Sequence, residues 1–403
     1  MQERIDVVVV GGGQAGLATS HELAADGIEH VVLERGRVGR TWRGRWDSFC
    51  LVTPNWSIRL PGLPYDGDDP DGYLPRDELV RHLERYAAGA PVREGVDVAS
   101  LDPVPDGGFL LRTADDDAIL SRAVVVATGA YQRPSRPAAA AQLPDDLPQI
   151  DVGAYRNPTA LPSGRVLVIG SGQSGCQIAE ELLEAGREVF LACGRAPWTL
   201  RRLGEHDMFW WALETGYLDQ PPSALPSPAA RLHANVQATG RNGGHDLHYR
   251  TLRDAGVTLL GHLIGVRDGR ARFADDLAES VAWGDARFRE SLDHVERLVA
   301  ERGLPMPDVP EPAPFDGRSP TELDLRGFGA VVVAAGYRPD YGWVHVPGAF
   351  DELGFPLHAN GASTAAPGLS FVGVHFLRVR RSSLLSGVGE DAALVARAIV
   401  AAA

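Results

Sequence analysis

IDVVVVGGGQAG, residues 5–16, predicts the fold of this protein. Residues 5–10 have the β-branched composition of a buried parallel strand, and helix-forming residues follow the turn at 17–25. Gly11, Gly13 and Gly16 occupy the three glycine positions of a dinucleotide-binding turn. They permit, in that order, a tight turn, close approach of the backbone to a pyrophosphate, and close packing of helix against strand. The stretch therefore predicts a strand–turn–helix unit that binds a dinucleotide.

An acidic residue completes this first unit. Glu34 stands 18 residues after Gly16, at the end of the next predicted strand, where a carboxylate accepts hydrogen bonds from ribose hydroxyls. The helix N-terminus offers free N–H groups and the positive end of its dipole to the phosphates. We therefore expect Gln14, Ala15 and Arg35 to belong to the same cofactor site.

The same pattern returns once, at residues 165–192. A strand at 165–169 leads into a second glycine-rich turn, followed by a helix at 176–185 and a strand at 188–192. The predicted cofactor-binding residues of this turn are Gly170, Gly172, Gln173, Ser174 and Gly175. Two copies of one nucleotide-binding unit imply two bound dinucleotides.

The end of the second strand differs between the two copies. No carboxylate stands there, but Arg195 does, and an arginine can pair with a ribose 2′-phosphate. This favours NADP over NAD. The alternative is that Arg195 is a solvated loop residue, and Arg201 or Arg202 could supply the same charge.

Composition excludes several other classes of protein. The chain has 403 residues, 44% of them hydrophobic and 23% charged, which is enough for two or three folded domains. A net charge of -14 argues against nucleic acid as a partner. All 39 basic residues are arginine, which excludes catalytic and phosphate-loop lysines. Three cysteines without a Cys-x-x-Cys pair, no signal-peptide pattern and no long apolar run predict a cytoplasmic protein without a membrane partner.

The set and order of these motifs resemble a class B flavoprotein monooxygenase, the FMO-like and YUCCA-type group. Besides the two glycine motifs, the shared features are Gly39-Arg40-Thr41-Trp42, Ala127-Thr128-Gly129 and Ala335-Gly336-Tyr337-Arg338-Pro339. The resemblance implies FAD in the first unit and NADPH in the second. It also implies that O2 adds to flavin C4a and that bound NADP⁺ shelters the hydroperoxide. One oxygen atom would then enter a small molecule at an amine nitrogen, a sulfur or a 2-oxo acid.

The resemblance also sets the expected fold class and domains. We expect an α/β protein with two Rossmann-like dinucleotide-binding domains, in which residues 1–157 and 320–403 form the FAD domain and residues 158–319 are the inserted NADP domain. The strand that ends at Gly336 and the segment around Gly387 resemble the return of the chain to the first domain. Arg40, Thr41, Thr128, Gly129 and those two glycines are accordingly predicted cofactor contacts.

Two residues are predicted to act in catalysis, both from the resemblance. Asn55 stands where related enzymes place an asparagine near flavin C4a, and Trp42 resembles an aromatic side chain that lines the flavin. The alternatives are an asparagine that holds a turn and a tryptophan that packs a loop. Residues 208–211 could form a substrate wall or a core cluster, and the arginines of 378–381 could hold a substrate carboxylate or form a solvated loop.

One signature of the relatives is missing. Asp145, Leu147 and Asp151 stand where a Phe-x-Gly-x-x-x-His pattern is expected before Tyr155, which disfavours Baeyer–Villiger chemistry. The alternatives to a monooxygenase are a reductase that passes electrons to another acceptor and a low-turnover flavoprotein with a binding role. A homodimer is possible, and the histidine spacing predicts no metal site.

Overall fold

Two large sheets, one mixed and one parallel, organise residues 2–402, the part of the chain that the computed structural model describes. Eight α-helices within this range accompany them: α1 (Gln14–Ala25), α2 (Arg40–Arg43), α3 (Arg76–Ala87), α4 (Gln173–Glu184), α5 (Met208–Glu214), α6 (Tyr249–Ala255), α7 (Leu277–Arg302) and α8 (Val388–Ala401). Short 3₁₀ helices lie at Asn55–Ser57, Ala138–Gln142, Pro158–Ala160, Tyr217–Asp219, Pro222–Ala224, Pro228–Leu232, Arg241–Gly243 and Arg380–Ser383.

The first sheet contains the strand that carries the first glycine motif. Its strands in spatial order are His358–Ala359, Ala362–Ser363, Leu369–Phe371, Ala118–Val126, Gln2–Val10, His30–Glu34 and Val92–Glu94. Val98–Pro103 and Phe109–Thr113 extend it as the antiparallel excursion that the turn at residues 106–108 predicts. Val7, Val8 and Val9 are fully buried because helices and loops cover both faces, as β-branched strands require.

The second sheet is parallel throughout. Its strands in spatial order are Gln149–Asp151, Phe328–Val333, Arg165–Ile169, Val189–Ala192 and Thr258–Leu260. Leu263–Arg267, Arg270–Phe273 and Glu322–Asp324 form a small antiparallel sheet beside it. Short antiparallel pairs join Arg59–Leu60 to Leu63–Pro64, Arg202–Leu203 to His206–Asp207, and Arg133–Pro134 to Tyr337–Arg338. The expected fold class, two Rossmann-like units in an α/β protein, is thus confirmed.

One expectation about the domains is wrong. The strand Phe328–Val333, which precedes Gly336, pairs with Arg165–Ile169 in the second sheet instead of returning to the first. Gln149–Asp151 also joins the second sheet, although its sequence lies before the expected boundary at 157. Phe328–Val333 is buried throughout and Gln149–Asp151 is a half-buried edge strand, and in both cases long-range pairing decides which sheet the strand enters. The division of the chain at 157 and 320 remains a prediction.

Candidate cofactor sites and active-site cleft

The first glycine motif is shaped by contacts that leave no room for side chains. Gly11 has φ +116°, and a Cβ there would lie 2.5 Å from the carbonyl oxygen of Ala127. A Cβ on Gly16 would lie 1.8 Å from the carbonyl oxygen of Gly11. Open space surrounds the corresponding point at Gly13, at the N-terminus of α1. This is the cradle that a pyrophosphate needs, so the residues fit the FAD that the family resemblance implies.

The carboxylate of Glu34 lies against the same turn and is buried. Its Oε2 accepts a hydrogen bond of 2.7 Å from the backbone N–H of Gly12, and its Oε1 accepts one of 2.9 Å from Gly36. Each carboxylate oxygen has further acceptor capacity, which ribose hydroxyls can use. Glu34 therefore holds the turn and faces the expected ribose position at once.

A side-chain link joins the first motif to two distant segments. Trp42 donates from Nε1 to Oε1 of Gln14 at 2.8 Å, and Nε2 of Gln14 donates to the carbonyl oxygen of Ser383, also at 2.8 Å. A Cβ on Gly373 would lie 2.6 Å from that of Ala15, so residues 373–387 lie directly against the start of α1. The side-chain amide of Gln14 thus bonds both to the loop that is expected to line the flavin and to the C-terminal segment.

The second motif repeats the two tight glycine contacts of the first, while a Cβ on Gly172, the counterpart of Gly13, would lie 3.3 Å from the Cβ of Ala234. Gly170 has φ +101°, and a Cβ there would lie 2.5 Å from the carbonyl oxygen of Ala334. A Cβ on Gly175 would lie 1.9 Å from the carbonyl oxygen of Gly170. Gln173, the counterpart of Gln14, donates from Nε2 to the carbonyl oxygen of Val236 at 3.1 Å. The second turn therefore fits a second dinucleotide.

The three candidate arginines for the 2′-phosphate are not equivalent. Arg195 is exposed at the end of the strand Val189–Ala192 and forms no ion pair with any described residue. Arg201 is buried instead, and its Nε donates to Asp207 at 2.8 Å, so its charge is already neutralised. Arg202 donates to the carbonyl oxygen of Glu205 at 2.8 Å. The geometry favours Arg195 among the three.

Asn55 holds a loop in place through hydrogen bonds. The side chain is buried, its Nδ2 donates to the carbonyl oxygen of Asp69 at 2.9 Å, and its Oδ1 accepts from the backbone N–H of Leu74 at 2.6 Å. The backbone N–H of Asn55 also donates to Gly72. These bonds favour the turn-holding alternative, and the predicted contact of Asn55 with the flavin remains a prediction.

The other predicted cofactor contacts fall at or near the two turns. Gly129 and Gly336 adopt φ of +87° at the ends of corresponding strands, each with open space beside the α-carbon. Gly387 precedes α8 and packs against the backbone of Arg381. The remaining polar members have no contact that assigns a role: Arg35, Arg40 and Thr41 are exposed, Ser174 is half-buried, and Thr128 accepts a hydrogen bond from Gln132.

The structure also contains an aromatic cluster that the sequence does not predict. Tyr131 lies edge-on to His375 at 4.9 Å between ring centroids and to Tyr337 at 5.4 Å, and the guanidinium of Arg45 lies 5.5 Å over its ring. His375 shares a hydrogen bond of 3.1 Å with Ser383, and burial lowers the pKa of His375 to about 4. Tyr131 comes just after the strand end at Thr128-Gly129, and that position is the sequence signal that could have identified it.

A crossing segment, residues 217–237, spans the space between the two glycine motifs, which we call the cleft. It leaves the second unit after α5, contacts the C-terminal part of the first unit, and returns to cover the second motif. Asp219 accepts a hydrogen bond of 2.6 Å from Arg381, and Asn235 donates one of 2.9 Å to the hydroxyl of Tyr131. The carbonyl oxygen of Gln220 accepts one of 3.0 Å from the backbone N–H of Arg380. Both glycine motifs therefore border one bridged cleft.

Two other sequence features have structural roles. Within residues 208–211, Phe209 and Trp211 are buried, and Trp211 packs in a core cluster with α7, which favours the core alternative. Tyr155, the aromatic that survives of the missing signature, is buried and donates to Glu181 at 2.8 Å. Asp151 lies in an edge strand of the second sheet.

The three thiols do not form a redox pair. Cys176 and Cys193 are buried in the core of the second unit, away from the first glycine motif, and burial raises the pKa of both. Burial raises the pKa of Cys50 to about 11. All three are free thiols in the structure. They are poor nucleophiles for disulfide exchange at neutral pH.

Among residues 2–402, no group of three or more histidine, cysteine or acidic side chains has the arrangement of a metal site. No helix in that range combines the length and apolar character needed to cross a membrane.

Comparison with known proteins agrees with this geometry. The family described as pyridine nucleotide-disulphide oxidoreductase matches residues 8–205. A CzcO-like oxidoreductase of unknown activity from Geobacillus kaustophilus is 31% identical over 397 residues, which cover 97% of each chain. The rice indole-3-pyruvate monooxygenase YUCCA1 is 33% identical over 193 residues, covering 44% of this chain and 45% of that protein. A flavin-containing monooxygenase from Stenotrophomonas maltophilia has the same fold, with a TM-score of 0.70 at 20% identity and 99% coverage of both chains.

The fold and the two glycine cradles define a flavoprotein oxidoreductase with two dinucleotide sites. The chain belongs to the family of the CzcO-like oxidoreductases, to which it is related over its whole length, and it is similar over part of its length to YUCCA-type monooxygenases. It is a flavin-dependent oxidoreductase. FAD fits the site of Glu34 and the first motif, and the second motif fits NADPH, while the pairing of Arg195 with its 2′-phosphate remains a prediction.

Proposed function

We propose that the protein is an NADPH- and FAD-dependent monooxygenase. It transfers one oxygen atom from O2 through a C4a-hydroperoxyflavin to a nitrogen, sulfur or carbonyl centre of a small molecule. The observation that carries this proposal is the bridged cleft, in which Asn235 beside the second motif bonds to Tyr131 beside the first. Hydride transfer needs the two cofactors in contact, and the reactive flavin must then be kept from water. A bridge between the two units serves both needs.

The residues around the cleft supply position and a restrained environment, while bound FAD supplies the redox chemistry. Gln14 and Trp42 fix the loop and the C-terminal segment relative to the first turn. His375 is neutral at neutral pH because burial lowers its pKa to about 4, so it does not deliver a proton from a charged imidazolium. These features favour a long-lived oxygen adduct over its rapid breakdown.

Disulfide reduction, the activity in the name of the matching family, is disfavoured in this chain. That reaction needs a pair of cysteines next to the flavin. The two buried cysteines lie in the core of the second unit, and Cys50 has a raised pKa. A reductase that uses another acceptor is the second candidate. We further propose a cytoplasmic location from the free thiols, while a homodimer remains a prediction.

Stopped-flow absorbance tests the proposal. The holoenzyme is reduced with NADPH without oxygen and mixed with oxygenated buffer. A monooxygenase gives the absorbance band of the C4a adduct before oxidised flavin returns. Direct return of oxidised flavin with one equivalent of hydrogen peroxide, also in the presence of candidate amines, sulfides and 2-oxo acids, would instead support the reductase.

A further inference from the structure

Three arginines follow one another closely in the C-terminal segment, and two of them are paired. Arg378 donates to Asp391 at 2.6 Å and to Glu390 at 3.2 Å. Arg381 donates to Asp219 at 2.6 Å and lies 2.8 Å from Glu390. The acidic residues around this segment therefore neutralise those two guanidinium groups.

The third, Arg380, has no carboxylate partner among residues 2–402. Its guanidinium lies between two aromatic rings, 4.1 Å from the ring centroid of Tyr217 and 4.7 Å from that of Phe376. The side chain accepting from it is Gln220, whose Oε1 lies 3.3 Å from Nη2. Its Nε is buried and has no hydrogen-bond partner. A half-buried positive charge whose buried N–H has no partner is costly unless something binds it.

Electrostatics around Arg380 agree with an unfilled anion position. Burial lowers the pKa of this guanidinium, and no carboxylate raises it again. The other titratable groups near it are Tyr217 and His294, and the positive charge of Arg380 helps to lower the pKa of His294. Nothing in this set supplies a negative charge at neutral pH.

Its place in the fold connects Arg380 to the cleft. Its backbone N–H bonds to Gln220 of the crossing segment. Three residues later, Ser383 accepts the hydrogen bond from Gln14 of the first glycine motif and bonds to His375 of the aromatic cluster. Arg380 thus stands on the short segment that lies against the expected flavin site, where a substrate must approach.

We infer that Arg380 binds the carboxylate of the substrate, so that the substrates of this enzyme are small organic acids with an apolar body. A guanidinium fork matches a carboxylate through charge-assisted hydrogen bonds, and the Nε–H of Arg380 is a donor without a partner among residues 2–402. The ring of Tyr217, which is only half-buried, leaves apolar surface for the rest of the molecule. This inference rests on the proposed oxygenase function and adds the class of substrate to it.

The competing explanation is that Arg380 merely clamps the crossing segment to the first unit. Arg231 is a matched control for that role. It lies on the same segment, its guanidinium lies 5.0 Å over the ring of Phe355 in the first unit, and its Nε is likewise buried without a partner. Arg231 differs because it faces a carboxylate, Asp351, at 3.7 Å.

Calorimetric titration of the oxidised holoenzyme, without NADPH, tests the inference. The probes are phenylacetate and benzoate, each compared with its neutral amide. The wild type should bind the acids about tenfold or more tightly than the amides, as charge-assisted hydrogen bonds predict. R380Q should lose this preference, R380K should weaken acid binding severalfold because it lacks the fork, and R231Q should keep wild-type affinity for the acids.

Three outcomes would overturn the inference: no saturable acid binding, equal affinity for acid and amide in the wild type, or loss of the preference in R231Q as well as in R380Q. The wild-type comparison decides the matter even if R380Q does not fold. Because the titration involves neither hydride transfer nor O2, it succeeds or fails separately from the stopped-flow test of oxygenation.

Discussion

The indole Nε1 of Trp42 donates a 2.8 Å hydrogen bond to the side-chain oxygen of Gln14. Gln14 is the residue after the second glycine of the first motif, so this bond connects the loop at 39–46 to the pyrophosphate cradle. The same amide donates to Ser383 at 2.8 Å. One side chain thus holds together the three segments expected around the flavin.

Gln14→Ala should therefore weaken FAD binding. Two hydrogen bonds are lost, and the Ser383 carbonyl oxygen loses its donor, which predicts about tenfold to a hundredfold weaker binding. Fluorescence quenching during titration of the apoprotein with FAD measures the change. Gln173→Ala, the equivalent change in the second motif, is the control and should leave FAD affinity unaltered. Equal losses in both variants would show a general stability effect instead.

Arg195→Ala should weaken NADPH binding far more than NADH binding. The exposed guanidinium forms no ion pair with the described residues, so a 2′-phosphate is free to take it. We expect about tenfold or greater loss for NADPH and little for NADH, measured from the concentration dependence of anaerobic flavin reduction. Arg202→Ala is the control, since that side chain bonds to the carbonyl oxygen of Glu205. Equal losses for the two coenzymes would remove Arg195 from the phosphate site.

We expect Asn55→Ala to lower the stability of the protein without changing its reaction with O2. The substitution leaves the backbone N–H of Leu74 and the carbonyl oxygen of Asp69 without their partner. We expect the free energy of unfolding to fall by about 1–3 kcal/mol, as measured by chemical denaturation of the holoenzyme. The rate at which reduced enzyme reacts with O2 should stay near wild type in the folded fraction. An altered oxygen reaction at unchanged stability would restore the catalytic assignment.

The buried ion pair of Arg201 and Asp207 should also prove structural. Asp207 accepts from Arg201 at 2.8 Å and from the hydroxyl of Tyr73 at 2.7 Å, and both charged side chains are buried. Asp207→Asn leaves the guanidinium without its counter-charge, which predicts a loss of roughly 3 kcal/mol in unfolding free energy. Asp316→Asn, which changes an exposed pair with Arg318, is the control and should change the unfolding free energy far less, because solvent screens that pair. Similar losses would contradict this ranking.

Local patterns predict the parts of the site that depend on backbone shape. Gly11 and Gly170 need a positive φ, and Glu34 follows its strand at a fixed distance, so spacing alone identifies them. The strand Phe328–Val333 enters the second sheet through pairing with residues 163 or 164 positions away, which no local pattern encodes. No local pattern identifies Arg380 either. It has no carboxylate partner among residues 2–402 because Asp219 and Glu390 bond to Arg381 instead.

His375 should make the protein less stable in acid. Burial lowers its pKa from 6.5 in the unfolded chain to about 4 in the folded one, so the unfolded state binds more protons between those values. The free energy of unfolding must then fall as the pH falls through that window, by roughly 1–3 kcal/mol after allowance for partial exposure. His375→Gln keeps a group for the bond to Ser383 but does not titrate. Denaturation of both proteins between pH of about 7 and 4.5 gives the difference. His82 and His294, whose pKa values are also lowered, titrate in both proteins and cancel. Parallel stability curves across the window would show that His375 is accessible to protons in the folded state.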